Sequence, residues 1–138
     1  MKTRVLDSWP ILEWIKERQP ATDIVENLLA EAESGTTRLL MSAINVGEVY
    51  YYVCKYHSET LAESWRESSR TLPVTIEVPT LDEIWDAAFL KGRYPIAYAD
   101  AFAAALAQKY RCPLLTGDPD FRSVPDLELD WIGPAIAR

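Results

Sequence analysis

The chain has 138 residues and a formal net charge of −7, with 49% hydrophobic and 25% charged residues. A chain of this length and balance is expected to fold as one globular domain with a sizeable buried core. It contains no apolar run of about 18 residues, which excludes a membrane-spanning helix, and its negative charge argues against binding nucleic acid by bulk electrostatic attraction.

The first half of the chain alternates short apolar strands with helices. Strands are predicted at Thr3–Leu6 and Thr37–Met41, and helices at Trp9–Ile15, from Thr22 to Ala32, from Ser42 through Val53 and at about Glu59–Arg70. Ser8, Thr22 and Ser42 are the predicted N-caps, because a hydroxyl oxygen can accept a hydrogen bond from the free N–H groups of a first helical turn.

The second half continues the same alternation. Strands are predicted at Pro73–Val78 and Cys112–Thr116, with Leu129–Ile132 as a candidate fifth, and helices at Leu81–Phe89, capped by Thr80, and at Tyr98–Ala107, after a break at Gly92–Pro95. The helix that begins at Tyr98 is nearly apolar throughout, so it is expected to lie deep in the molecule with that tyrosine in the core. Strands that alternate with helices predict a single α/β domain over residues 1–138, with a mainly parallel sheet covered on both faces.

Four carboxylates are predicted to converge on one edge of this sheet. Asp7 ends the first strand, and Asp118 follows the Cys112–Thr116 strand by two residues. Glu48 lies in the first turns of the helix after the second strand, and Asp100 at the start of the apolar helix. Open parallel sheets bind ligands beyond the carboxyl ends of their strands, so this placement favours a functional site.

Asp100 is the most informative of the four. Its neighbours in the helix are alanine, tyrosine and phenylalanine, and no basic residue stands at helical spacing before Lys109. A charge in such surroundings requires a partner, and a metal ion is the better candidate.

The other three acids have ordinary explanations when each is taken alone. Asp7 could cap the next helix, Asp118 could belong to a turn, and Glu48 could be an exposed helical glutamate. Their joint placement indicates a metal site, because hard divalent cations prefer carboxylate oxygens and a cluster of four acids can hold one or two such ions. Asp120 adds a second carboxylate beside Asp118, and the sequence leaves open which of the two faces the metal.

Four segments together resemble the PIN-domain family, most closely the VapC-type toxins of toxin–antitoxin pairs. The matching segments, in family order, are Val5–Ser8, Ser42–Val49, Tyr98–Phe102 and Leu114–Phe121. The resemblance implies a five-stranded parallel sheet between helices, an Mg²⁺- or Mn²⁺-dependent endoribonuclease, a small antitoxin partner and a homodimer.

The resemblance also assigns the site residue by residue. Its four acidic positions fall on the four residues named above. Ser8 matches the small hydroxyl residue after the first aspartate, and Thr116 matches the hydroxyl residue two positions before the last acid. Trp9 and Pro10 depart from the small or aliphatic residues usual at their positions, which leaves the local shape beside the first aspartate open.

Positive groups near the acids are the candidates for binding an RNA substrate. They are Lys91 and Arg93, ahead of the Asp100 helix, and Arg122, just after the last acid. The single histidine, His57, is far from the acids in sequence and argues against histidine-based cleavage. An RNA-processing nuclease and a non-catalytic RNA- or protein-binding module remain alternatives to a toxin. A cytoplasmic location is expected, because the first residues lack a signal-peptide pattern.

Overall fold

Five strands form one sheet in the computed structural model, which describes residues 1–135. The strands of this part of the chain are β1 (Lys2–Leu6), β2 (Thr37–Ser42), β3 (Thr75–Glu77), β4 (Leu114–Thr116) and β5 (Leu129–Trp131). Its helices are α1 (Ser8–Ile15), α2 (Ala21–Glu33), α3 (Ala43–Tyr56), α4 (Glu59–Ser68), α5 (Leu81–Arg93) and α6 (Tyr98–Tyr110), with a short 3₁₀ helix at Pro119–Ser123. The strand order is β3-β2-β1-β4-β5 and every pair is parallel, which confirms the predicted fold class.

The sheet carries apolar side chains on both faces, as a parallel sheet between two helical layers requires. Val5 and Leu40 are partners in adjacent strands and pack in the core formed with α5 and α6. Their neighbours Leu6 and Met41 point to the opposite face and pack in the core formed with α1 to α4. The two-residue period of the strands therefore divides the interior into two cores.

Helix α6 lies deep in the molecule, as its composition predicted. Ala101, Ala103 and Ala104 have no solvent exposure, and the helix packs against α5, α3 and the central strands. Tyr98 was expected in the core, but it is 46% exposed. It occupies the first position of the helix and packs edge-on against the ring of Phe102, so that expectation was wrong.

The predicted hydroxyl caps are confirmed for some helices and wrong for others. Ser42 and Thr80 cap α3 and α5 by accepting hydrogen bonds from backbone N–H groups. Thr22 is not a cap, because α2 has already begun, and its hydroxyl donates a hydrogen bond to the carbonyl oxygen of Arg18. Ser8 lies inside the first turn of α1 rather than before it.

Several element boundaries differ from those predicted. Strands β3, β4 and β5 have only three residues each and are therefore shorter than the predicted strands Pro73–Val78, Cys112–Thr116 and Leu129–Ile132. The break predicted at Gly92–Pro95 begins later, since α5 continues through Arg93. Its last turn carries two basic residues, which favour a helix C-terminus through the helix dipole.

Within residues 1–135, the helices are too short and too polar to cross a bilayer. The two cysteines, Cys54 and Cys112, are both free thiols. The fold is thus held by its two apolar cores and the strand ladder rather than by a covalent cross-link.

Candidate active site

The sheet has a topological switch point between β1 and β4. The chain leaves β1 toward β2 on one side, and β4 lies on the other side. Asp7 is the first residue after β1, and Asp118 follows the end of β4 by two residues. The two carboxylates therefore lie on either side of the crevice where such sheets bind ligands.

Asp100 joins these two carboxylates from the first turn of α6. One oxygen from each of Asp7, Asp100 and Asp118 lies within 4.8 Å of the others. Asp7 is 1% exposed and Asp100 is 6% exposed, so two of the three carboxylates are almost completely removed from solvent. Three acids this close repel one another strongly unless protons or cations offset their charge.

In the part of the chain that the structure describes, no basic side chain forms an ion pair with these three carboxylates. Every ion pair within residues 1–135 is formed by other carboxylates. Oδ1 of Asp7 is buried without a hydrogen-bond partner among the described residues. An orphaned buried carboxylate oxygen is costly, and hard divalent cations are suitable partners for oxygen ligands. The three residues thus fit a divalent metal ion.

The crowding raises the pKa of two of the carboxyls. Burial is the main cause of the raised pKa of Asp7, followed by the charge of Asp100, while the Thr116 side chain opposes the shift. Burial also raises the pKa of Asp100 to about 7, and the charges of Asp118 and Glu48 add to it. Near neutral pH the metal-free site therefore retains protons that a bound cation would displace.

Glu48 lies beside the three-carboxylate cluster without joining it. Its charge contributes to the raised pKa of Asp100, which places the two side chains near each other. Asn45, one turn earlier in α3, is fully buried. Its Nδ2 donates hydrogen bonds to Oε1 of Glu48, at 3.4 Å, and to the carbonyl oxygen of Ala99, at 3.0 Å.

Asn45 is the polar residue of the site that the sequence analysis did not single out. By bonding to both α3 and the start of α6, it sets Glu48 against the helix that carries Asp100. The only local signal was an amide three residues before an acid in a helix, a spacing at which side chains meet.

The structure separates the positions of Asp118 and Asp120, the two acids between which the sequence left the choice open. Asp118 belongs to the cluster, whereas Asp120 is exposed and donates its backbone N–H to Oδ1 of Asp118, at 2.9 Å. The hydroxyl of Thr116 accepts a hydrogen bond from the N–H of Asp118, at 3.0 Å. These two bonds fix the loop so that the carboxylate of Asp118 faces the other acids.

The remaining predicted residues are not members of this cluster. Ser8 is buried at the start of α1, directly after Asp7. Lys91 and Arg93 are exposed in the last turn of α5, and Arg122 is exposed in the 3₁₀ helix with its guanidinium 5.1 Å from the ring of Trp131. No side chain of these three bases pairs with the acids within the described residues.

Comparison with known proteins supplies the family. A family model described as PIN domain matches residues 4–127. No curated protein matches the chain.

Several solved structures share the fold. One is VapBC2 from Rickettsia felis bound to a DNA fragment from its promoter, with 18% identity, a TM-score of 0.72, and 93% of this chain and 97% of that chain covered. Another is VapC20 from Mycobacterium tuberculosis, described as a sarcin–ricin loop cleaving toxin, with 16% identity, a TM-score of 0.74 and coverages of 91% and 98%. A third is DNA-bound VapBC from Salmonella typhimurium, with 15% identity, a TM-score of 0.74 and coverages of 94% and 98%. At these identities the likeness shows the fold.

Proposed function

This chain belongs to the PIN-domain family, and on that premise we propose that it is a metal-dependent endoribonuclease, the toxin of a toxin–antitoxin pair. The observation that carries the proposal is the cluster of Asp7, Asp100 and Asp118 at the switch point of the sheet, with a buried, unpartnered carboxylate oxygen. Structures of the same fold that are described as toxins or toxin–antitoxin complexes support it.

The three clustered aspartates would hold Mg²⁺ or Mn²⁺, and Glu48, whose charge acts on Asp100, would complete the site directly or through water. When bound, such an ion lowers the pKa of a water molecule, orients it toward a phosphodiester phosphorus and offsets charge on the departing oxygen. The expected products carry 5′-phosphate and 3′-hydroxyl ends.

The chain's own residues prepare this chemistry. Asp7 and Asp100 keep their protons more readily than ordinary carboxyls and release them when the site is loaded, because their pKa values are raised. Asp118 is held at the mouth of the crevice by the backbone N–H of Asp120. Without a cation, the combined negative charge would repel a phosphate group, so the acids by themselves prevent cleavage.

Positive side chains outside the cluster would hold the RNA backbone. Arg122 follows Asp118 by four residues and is exposed, and Lys91 and Arg93 end the helix that precedes Asp100 in the chain. Phosphate contacts of this kind bind RNA without reading its sequence. They supply the local attraction that a chain of net charge −7 does not provide overall.

An antitoxin segment would bind in the groove between α1, α2 and α4. The groove has a volume of about 640 Å³, and its apolar lining includes Trp14, Ile15 and Leu61. The acids Glu17 and Asp23, with Glu26, lie along it. This combination suits an amphipathic helix that carries basic residues beside its apolar face. An antitoxin arginine that reaches the aspartate cluster would be a direct means of inhibition.

A homodimer would form through the outer face of α5. Leu81, Trp85 and Phe89 recur at helical spacing and are 64%, 64% and 61% exposed. Two copies of α5 packed antiparallel about a two-fold axis that passes near Trp85 would join the two apolar stripes.

The test is cleavage of single-stranded RNA by purified protein, with Mg²⁺ or Mn²⁺, with EDTA, and after the double substitution Asp7→Asn and Asp100→Asn. We expect cleavage by wild type only with metal, and loss in the double variant because two ligands lose their charge. Asp82→Asn is the matched control, since this exposed first-turn aspartate lies outside the cluster. Equal cleavage by wild type and the double variant would overturn the proposal, because it would locate the activity elsewhere or in a contaminant.

A further inference from the structure

Trp9 packs directly on the loop that carries Asp118. A methyl group added at Gly117 would lie 2.4 Å from Cη2, 2.5 Å from Cζ2 and 2.6 Å from Cζ3 of the Trp9 indole. These distances are far below van der Waals contact, so the ring occupies the space that a side chain at position 117 would need. Trp9 itself lies two residues after Asp7, at the start of α1.

The loop also packs closely against the segment around Gly133. A methyl group at Gly133 would lie 2.7 Å from Cα and 2.8 Å from the carbonyl oxygen of Gly117. The segment that contains Gly133 is joined to β4 by a hydrogen bond from the N–H of Ile132 to the carbonyl oxygen of Thr116, at 3.0 Å. Gly117 therefore packs against both the Trp9 indole and this C-terminal segment.

Neither glycine is required by its backbone conformation, because neither has a φ in the left-handed region. What both positions require is the absence of a Cβ atom, so that the indole, the loop and the C-terminal segment can stack closely. The next residue after Gly117 is Asp118, whose carboxylate belongs to the cluster. The position of the indole is thus transmitted to that carboxylate through one peptide unit.

We propose that Trp9 is a positioning residue, whose indole seats on Gly117 and holds Asp118 at the correct distance from Asp7 and Asp100. Asp7 and Trp9 belong to the same turn at the start of α1, so the packing couples the β1 side of the crevice to the β4 side. The inference rests on the proposed function, because the group that it positions is a proposed metal ligand.

The test is a double-mutant cycle on Mn²⁺ affinity, measured by titration of the full chain without RNA. Gly117→Ala is expected to weaken Mn²⁺ binding by about tenfold or more, as is usual when a group that orients a metal ligand is disturbed. Trp9→Leu is expected to weaken it as well, and adding Gly117→Ala to that variant should cause little further loss, because the clash has been removed. If the losses of Mn²⁺ affinity in the two single variants simply added in the double variant, the proposal would be overturned.

Gly47→Ala is the matched control. Gly47 also directly precedes a proposed site acid, Glu48, but a Cβ atom there would meet nothing within 4 Å. Its Mn²⁺ affinity should equal that of wild type, and an equal loss in both glycine variants would contradict the role of the indole.

A second comparison holds even where Gly117→Ala does not fold. Trp9→Phe keeps an aromatic ring and should retain more Mn²⁺ affinity than Trp9→Leu, whereas equal affinities would overturn the proposal. If Trp9 instead stacked on the RNA, Trp9→Leu would raise KM for RNA and leave Mn²⁺ binding unchanged, which also overturns it. If the wild type binds no Mn²⁺, both the proposed function and the role of Trp9 are contradicted. If the wild type and every variant bind Mn²⁺ equally tightly, only the role of Trp9 is contradicted.

Discussion

Replacing Asp100 with asparagine should stabilise the metal-free protein, although it should abolish metal-dependent cleavage. The carboxyl is 6% exposed, and its pKa is raised from 3.8 to about 7, first by burial and then by the charges of Asp118 and Glu48. Ionising this group in the folded state is therefore unfavourable. Asparagine has nearly the same shape and carries no charge at any pH.

The size of the effect follows from linkage. When a carboxyl has a higher pKa in the folded protein than in the unfolded chain, the folded protein loses stability as the pH rises from the unfolded pKa to the folded pKa. A shift of about 3 units corresponds to about 4 kcal/mol above pH 7, and each pH unit below that recovers about 1.4 kcal/mol. The stability advantage of Asp100→Asn should thus grow by about 2–3 kcal/mol between pH 5 and pH 8.

Urea unfolding in EDTA at both pH values measures this advantage. Asp82→Asn is the control, because that aspartate is also in the first turn of a helix but is exposed, so its effect should stay below about 1 kcal/mol at both pH values. Saturating Mn²⁺ should stabilise wild type and not the Asp100 variant. A variant that is less stable than wild type at pH 8, or an advantage that does not depend on pH, would refute the reasoning.

Further predictions concern the surroundings of the cluster. Wild-type Mn²⁺ affinity should rise between pH 6 and pH 8 in a calorimetric titration, because the raised pKa values of Asp7 and Asp100 require proton release on binding; a constant affinity would contradict this. Asn45→Ala should lower the free energy of unfolding by about 1 kcal/mol in urea, since the loss of both hydrogen bonds from Nδ2 is partly offset by removing Oδ1, which is buried without a partner among the described residues; an unchanged free energy would contradict this. Trp85→Glu should convert a dimer to a monomer in sedimentation velocity and leave Mn²⁺ affinity intact; an unchanged mass would exclude this face of α5.

Much of the fold could be predicted from the sequence because the relevant signals are local. The alternation of short apolar strands with helices predicted a parallel sheet covered on both faces, the apolar composition of α6 predicted a buried helix, and the structure has both. Asp100 stood out for the same reason, as a charge in an apolar helix without a basic neighbour. Its convergence with Asp7 and Asp118 followed from the rule for parallel sheets.

What could not be predicted depends on contacts between distant parts of the chain. The packing of Trp9 on Gly117 joins residues more than 100 positions apart, and the sequence showed only that Trp9 departs from the family pattern. The bond of Asn45 to Ala99 is of the same kind. The choice between Asp118 and Asp120 required the loop geometry, since both residues are acids in one turn.

Two predictions from local sequence were wrong because the type of the side chain and its position in the helix favoured different outcomes. Thr22 has the side chain of a cap, but the helix begins before it, so its hydroxyl donates to the carbonyl oxygen of Arg18, in the turn that precedes the helix, instead. Tyr98 is apolar enough for the core, yet it stands at the first position of α6, where the side chain reaches solvent.

We propose that the aspartate cluster at the β1–β4 crevice binds the metal ion used in cleavage. Anomalous X-ray scattering from crystals grown with Mn²⁺ would locate this ion, with Asp100→Asn crystals for comparison. We expect an Mn²⁺ peak among the carboxylates of Asp7, Asp100 and Asp118 in the wild type, and its loss in the variant. A wild-type crystal with an empty crevice at saturating Mn²⁺, or a peak bound by other residues, would contradict it.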